Sequence, residues 1–172
     1  MTTIVAISGS LRDGSSNAAL LQAAASVAPD GVRFVFYEGL SDLPHFNPDL
    51  DAEGSAPPES VQRLRELLIC ADAVLLSCPE YAHGVPGSFK NMLDWLVSTG
   101  ELVGKPVATL NAAPVGCEYA QTAILETLRT MNWRVVDEAC RVEPFVKRKG
   151  ALDDGAVQTL RDAVNALVAA ID

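Results

Sequence analysis

The feature that most limits what this chain can become is a short apolar run that ends against a proline. Residues 73–78, Ala-Val-Leu-Leu-Ser-Cys, are hydrophobic with almost no alternation, and Pro79 follows at once. Such a run reads as a strand covered on both faces, the situation found in a parallel sheet. Proline ends it because the residue has no amide hydrogen for the ladder and a fixed φ. Gly84, Pro86 and Gly87 then turn the chain tightly. Ser88 is the expected N-cap of a helix on which Phe89, Met92, Leu93 and Leu96 recur at helical spacing, with a stop near Gly100.

The same alternation runs along the whole chain. Residues 3–7 form a second unbroken apolar run, followed by the polar turn 8–17 and an Ala/Leu-rich helix over 18–27 that ends at Pro29-Asp30-Gly31. Residues 33–37 read as a second strand, and 38–55 as an irregular segment rich in Pro, Asp and Gly. A helix is expected over 58–70, with Val61, Leu64, Leu67 and Leu68 inward. The strand 73–78 comes third, and a fourth follows Pro106 at 107–111. Next come a helix over 119–131 carrying Ile124, Leu125 and Leu128, a fifth strand somewhere within 133–142, and a last helix over about 155–171. Strands alternating with helices call for an α/β three-layer sandwich. The expected fold is flavodoxin-like: one domain, 1–172, with a five-stranded parallel sheet of order 2-1-3-4-5 and helices on both faces. In that order the ligand crevice lies outside the carboxyl ends of strands one and three. The two unusual loops, 8–17 and 79–87, follow those two strands.

Composition narrows the function classes. The formal net charge of -9 argues against a broad nucleic-acid-binding face. No apolar run reaches membrane-spanning length, and residues 1–7 lack the basic start of a signal peptide, so neither membrane nor leader is expected. Cys70, Cys78, Cys117 and Cys140 show no CxxC or zinc-type pairing with the two histidines. They read as reduced thiols of a cytoplasmic protein without a metal site. Cys78 and Cys117, near the crevice, read as small buried apolar residues rather than a redox pair.

The loop 8–17 has the chemistry of an anion site. It offers the hydroxyls of Ser10, Ser15 and Ser16, the amide of Asn17 and the fork of Arg12, all just ahead of a helix N-terminus. Free amides and the helix dipole favour an anion there, and arginine adds a charge-assisted pair. The Gly9-x-x-x-x-Gly14 spacing resembles the start of a P-loop, but Ser15 stands where the lysine must be, and GxGxxG is absent. A single terminal phosphate suits the loop better. The plainer account is a turn and helix cap built from the usual residues; Arg12 tips the balance towards an anion.

With both loops in view, the chain resembles the NAD(P)H-dependent FMN reductases, a flavodoxin-like family that includes azoreductases, quinone reductases and chromate reductases. The resemblance rests on Gly9-Ser10-Leu11-Arg12-Asp13-Gly14-Ser15-Ser16-Asn17 and on the longer match from Pro79-Glu80-Tyr81 through Pro86-Gly87-Ser88-Phe89-Lys90-Asn91 to Asp94-Trp95. It implies an FMN cofactor and NADPH or NADH as co-substrate. Ser10, Arg12, Ser15, Ser16 and Asn17 would surround the phosphate. Pro79, Glu80, Tyr81 and Ala82 would line the ribityl chain and the isoalloxazine edge, with Tyr81 shielding the ring. No side chain is expected to be catalytic, because the flavin carries the chemistry. His83 reads either as a contact to flavin or substrate or as a solvent-facing loop residue. His45 reads as ordinary loop packing, Glu80 as a positioning group, Lys90, Asn91 and Asp94 as positioners of loop and helix, and Trp95 and Trp133 as packing or interface residues. The chain departs from the family at 111–121, where a longer Gly-Gly turn followed by Arg and Gln is usual and only Gly116 stands here.

The activity implied is hydride transfer from NAD(P)H to FMN and onward reduction of a quinone, azo compound, metal oxyanion or free flavin. The assembly implied is a homodimer or a dimer of dimers. The alternative is a flavodoxin-type electron carrier with no NAD(P)H oxidation of its own, although flavodoxins usually carry a Thr-rich phosphate loop. A flavin-free binding domain on the same fold is the third possibility.

Overall fold

The computed structural model describes residues 1–52, 54–113, 116–143 and 153–171. Its strands β1 (Thr2–Ser8), β2 (Val32–Tyr37), β3 (Ala73–Ser77), β4 (Pro106–Ala112) and β5 (Arg134–Val135) lie in the order β2-β1-β3-β4-β5, with all neighbouring pairs parallel. A further strand, β6 (Arg141–Glu143), pairs with β4 beyond β5. This is the expected flavodoxin-like order, and side-chain alternation along β1 explains the layers. Val5 and Ile7 face one side with Val74 and Leu76, under the helices α2 (Glu59–Ile69), α3 (Gly87–Leu96) and α4 (Glu118–Thr130). Ile4 and Ala6 face the other side with Ala73 and Leu75, under α1 (Ser16–Ser26) and α5 (Asp154–Ala169). Both faces are covered, so β3 and β4 are buried along their whole length.

The expected fifth strand is divided in two. Val135 pairs with Val107 and Arg141 with Leu110, so the edge advances six residues where β4 advances three. The surplus forms a 3₁₀ turn, Asp137–Ala139, that buries Ala139 while Asp137 and Glu138 face solvent. Helix boundaries shift as well. Ser15 caps α1 by accepting a hydrogen bond from Ala18 N–H at 3.4 Å, so Ser16 and Asn17 belong to the first helical turn. Ser88 is not the N-cap of α3. Pro86 takes that place with extended ψ and no side-chain bond, because its fixed φ suits the helix entry and α3 already begins at Gly87.

Behind α3, the segment after β2 is clamped. Asn91 accepts from Phe46 N–H at 2.7 Å and donates to Pro44 C=O at 2.9 Å, while Trp95 Nε1 donates to the same carbonyl at 2.8 Å. The Phe46 ring meets Trp95 edge to face at 5.0 Å. Trp95 and Trp133 are therefore core residues, and the loop holding His45 is fixed by packing on α3.

The turn after β1 is set by Gly9, whose N–H donates to Ser77 C=O at 2.7 Å. A Cβ there would come within 2.8 Å of Cys78 Sγ and 2.9 Å of Phe89 Cδ2. Both neighbours are fully buried, so neither can step aside. Gly9→Ala is expected to cost about 1–3 kcal/mol, as overpacking does, read as a lower urea midpoint with an unchanged slope.

Candidate active site

The carboxyl ends of β1, β3 and β4 are joined by two buried amides. Asn17 Oδ1 accepts from Ser77 Oγ at 2.8 Å and from Ala112 N–H at 2.9 Å. Asn111 Oδ1 accepts from Cys78 N–H at 2.7 Å, its Nδ2 donates to Gln121 Oε1, and Gln121 Nε2 donates to Thr109 Oγ1 at 2.7 Å. Ser77, Thr109 and Asn111 are wholly buried in otherwise apolar strands. Such groups persist only when hydrogen-bonded, and here the bonds hold three loops in register. No local motif marks this network. Its signal is Ser77 and Asn111, polar residues at or next to the carboxyl ends of otherwise apolar strands.

Loop 8–17 and loop 79–87 leave from adjacent strand ends, since Ser8 pairs with Ser77. In the first loop, Ser10 N–H donates to Ser8 Oγ and Arg12 N–H to Ser10 Oγ, both at 3.3 Å. Ser15 is buried as the helix cap, and the Asn17 side-chain oxygen is engaged in the network above. The N–H groups of Ser16 and Asn17 are the free first-turn donors of α1, and that turn contains no acidic residue. Arg12 is exposed and makes no ion pair with any described residue. An anion placed there meets helix amides, hydroxyls and a cation.

The second loop contains a tight turn. Tyr81 and Gly84 exchange backbone hydrogen bonds of 3.1 and 3.0 Å, and the two residues between them, Ala82 and His83, have φ of 49° and 59°. This is a type I′ turn, which usually takes Asn or Gly. Its N–H groups at Ala82 and His83 donate to no described protein acceptor. Tyr81 is exposed at the rim.

Two contacts bind this turn to α4. The Glu80 carboxylate accepts from Ala120 N–H at 2.9 Å, capping a helix whose own N-cap, Cys117, supplies no side-chain bond. His83 stacks on Tyr119 with ring centroids 4.2 Å apart and planes 14° from parallel. His83 therefore has a definite partner, although its edge remains exposed. Beneath lie two free thiols, Cys78 and Cys117, the latter donating to Cys78 C=O at 3.7 Å. Burial, and secondarily the neighbouring Cys117, pushes the Cys78 thiol up; burial, and then the charge of Glu80, does the same to Cys117. Protonated and buried, both act as small packing groups. Of the atypical 111–121 loop, Pro114 and Val115 lie outside the described residues.

A free-amide helix end lies beside an outward-facing amide turn at the β1/β3 switch point, the place where doubly wound sheets bind their ligands. The donor set fits FMN: cation, hydroxyls and helix amides for the phosphate, turn amides for a polar ring edge. The chain matches the model of the NADPH-dependent FMN reductase family over residues 2–145, and it belongs to that family. It is 34% identical over 173 residues to an NAD(P)H-dependent FMN reductase of Pseudomonas aeruginosa, covering 95% of this chain and 92% of that one. It is 33% identical over 135 residues to a quinone reductase of Escherichia coli, covering 74% of this chain and 71% of the relative. The solved structure of FerB, a flavoenzyme NAD(P)H:acceptor oxidoreductase of Paracoccus denitrificans, superposes with a TM-score of 0.86 at 29% identity, over 99% of this chain and 97% of that one.

Left-handed backbone at a residue with a Cβ costs about 1–2 kcal/mol, partly offset in glycine by greater freedom when unfolded. Ala82→Gly is therefore expected to stabilise the protein by about 0.5–1 kcal/mol, measured by urea unfolding without cofactor.

Proposed function

We propose that this chain is an NAD(P)H-dependent FMN oxidoreductase whose cofactor lies between loop 8–17 and loop 79–87. The observation that carries the reading is the meeting of two donor-rich turns over adjacent strand ends, locked by Asn17. The chemistry that FMN supplies when bound is hydride transfer from NADPH or NADH to a small-molecule acceptor: a quinone, azo compound, metal oxyanion or free flavin.

The chain's own residues bind and orient. Arg12, Ser10 and the amides of Ser16 and Asn17 hold the phosphate. Ser15, as helix cap, keeps those amides aimed at it. Pro79, two residues beyond the end of β3, keeps the strand from continuing, and the backbone of Glu80–Tyr81–Ala82 would line the ring edge. The Ala82 and His83 amides, preorganised by the turn, would serve as donors to the polar edge of the flavin. Glu80 fixes that turn to α4, and exposed Tyr81 would cover one side of the ring. No side chain need transfer a proton for hydride to move, so none is assigned as catalytic.

The acceptor is small, because the site is a crevice between loops and not a docking face. A homodimer or dimer of dimers, in which exposed Tyr81 and Tyr119 lie near a neighbouring subunit, extends this reading. So does a cytoplasmic location, supported by four unpaired thiols. No described helix is long and apolar enough to cross a membrane.

The test is an anaerobic spectrum of the protein with FMN before and after NADPH, then NADH, followed by a quinone. Bleaching and recovery of the flavin band are expected. Tight FMN binding without NAD(P)H oxidation would return the protein to the electron-carrier reading. Arg12→Ala is expected to weaken FMN binding about 10- to 100-fold, the loss of one charge-assisted contact, with little change in melting temperature because the Arg12 side chain is exposed and in no ion pair with a described residue. Fluorescence titration of FMN measures it.

A further inference from the structure

The two margins of the sheet are built differently. Beside β4 the ladder is interrupted by the turn 137–139, whereas β2 at the other end runs for six residues in unbroken parallel register with β1. Thr2 N–H donates to Gly31 C=O, so Gly31, Arg33, Val35 and Tyr37 turn their backbone groups towards β1. Val32, Phe34 and Phe36 turn theirs outward. No bond from a described residue reaches Phe34 or Phe36 on that outer side. Natural sheets blunt such a margin with proline, lysine, a bulge or a covering segment. β2 carries no proline, lysine or bulge, and Arg33 is its one charge.

The strand is also complementary to itself. Antiparallel strands set two residues opposite one another only when both turn their backbone groups the same way. Two copies of β2 related by a two-fold axis therefore meet in few registers. With the axis through Val35, Phe34 of each copy lies opposite Phe36 of the other, and each pair exchanges both backbone bonds. Within one chain these rings already lie 6.3 Å apart, and Phe34 packs on the face covered by α1. Paired, the rings of both copies close into one cluster that covers Phe36, 40% exposed in the single chain. On the other face Arg33 lies opposite Tyr37 of the partner subunit. Asp42 sits beside that phenol; burial, and then the Asp42 charge, push the hydroxyl up to about 12. Arg63, the other charge there, is held by Glu59 at 2.6 Å. Arg33 and Asp42 are exposed and form no ion pair with a described residue, so the two-fold brings a free cation towards a free carboxylate on each side. An axis through Phe34 would instead oppose Asp30 to Glu38, like against like, and one through Phe36 would set Glu38 against Phe34.

We propose that β2 is a self-association edge: a second copy of this chain adds its own β2 antiparallel, about a two-fold axis through Val35, and the sheet becomes continuous across two subunits. The contact is isologous, so it consumes both open edges at once, and the interrupted margin gives a third copy no ladder to join. A single strand pair lies at the low end of interface sizes, about 1,200 Å² or less in total, and a reversible step with a dissociation constant of about 1–100 μM is expected. Flavin and reductant play no part in this contact, and β1 stands between it and the strand that leads to Tyr81.

Sedimentation velocity on the full chain, over about 1–200 μM, measures the step. The assembled mass is expected to double as concentration rises. Phe36→Lys puts a cation on the edge and is expected to weaken the step at least about tenfold, with an unchanged melting temperature in dilute solution. Arg33→Asp, at an exposed position, reads the same step should Phe36→Lys disturb the fold. In Val35→Cys the new thiols face each other across the axis as a non-hydrogen-bonded pair, with Cα atoms about 4.5 Å apart and within reach of a disulfide. Oxidation with copper phenanthroline is expected to link that variant into a dimer that dithiothreitol reverses, beyond any link the parent forms through exposed Cys70. A mass independent of concentration in the parent and unaltered in Phe36→Lys and Arg33→Asp would overturn the inference. So would a Val35→Cys variant that links no better than the parent.

Discussion

One side-chain oxygen holds the top of this molecule together. Asn17 Oδ1 receives hydrogen bonds from a residue of β3 and a residue of β4 while its backbone begins α1. Three segments far apart in the chain are thereby fixed to a common origin. An apolar contact could bring them near one another without setting their register. A buried acceptor leaves little tolerance, because each donor it misses costs the full desolvation of an unpaired group. Asn111 repeats the device one layer over, joining Cys78 to Gln121 and through it to Thr109.

From this frame the division of labour follows. Rigid strands carry polar residues near their ends that bond to the segments beside them, and the loops that leave them keep several backbone amides unpaired among the described residues. The helix α1 presents amides that no acidic neighbour neutralises. The turn at 81–84 presents two more, held out by a backbone conformation that alanine and histidine rarely adopt. Strain of that kind persists when surrounding contacts over-determine the conformation. Here the contacts are the Glu80 cap on α4 and the stacking of His83 on Tyr119.

Much of this was legible in the residues themselves. Unalternating apolar runs at 3–7 and 73–78 announce strands covered on both faces, and the strand order follows once helices are seen to alternate with them. The two loops stand out because Ser, Gly, Arg and Pro cluster where strands end. What stayed hidden depended on partners distant in sequence. Asn17 reads locally as one more turn-former, yet its hydrogen-bond partners lie 60 and 95 positions away. The left-handed turn is not legible in the residues because neither Ala82 nor His83 is the residue such a turn normally demands. Ser88 looked like a cap because serine usually is one, but Pro86 had already set the helix entry. The break in the last strand is a matter of register against β4, and a single segment read alone carries no register.

That broken strand bears on how copies of the protein meet. A long, straight sheet margin offers a row of unsatisfied donors and acceptors onto which another chain can add a strand. Here the margin beside β4 is interrupted after two residues by a tight turn carrying Asp137 and Glu138. A neighbour sliding along it would find the ladder out of step and two carboxylates in the way. Growth of the sheet from chain to chain is blocked at that side, which leaves β2, six uninterrupted residues at the opposite margin, as the edge open to another strand.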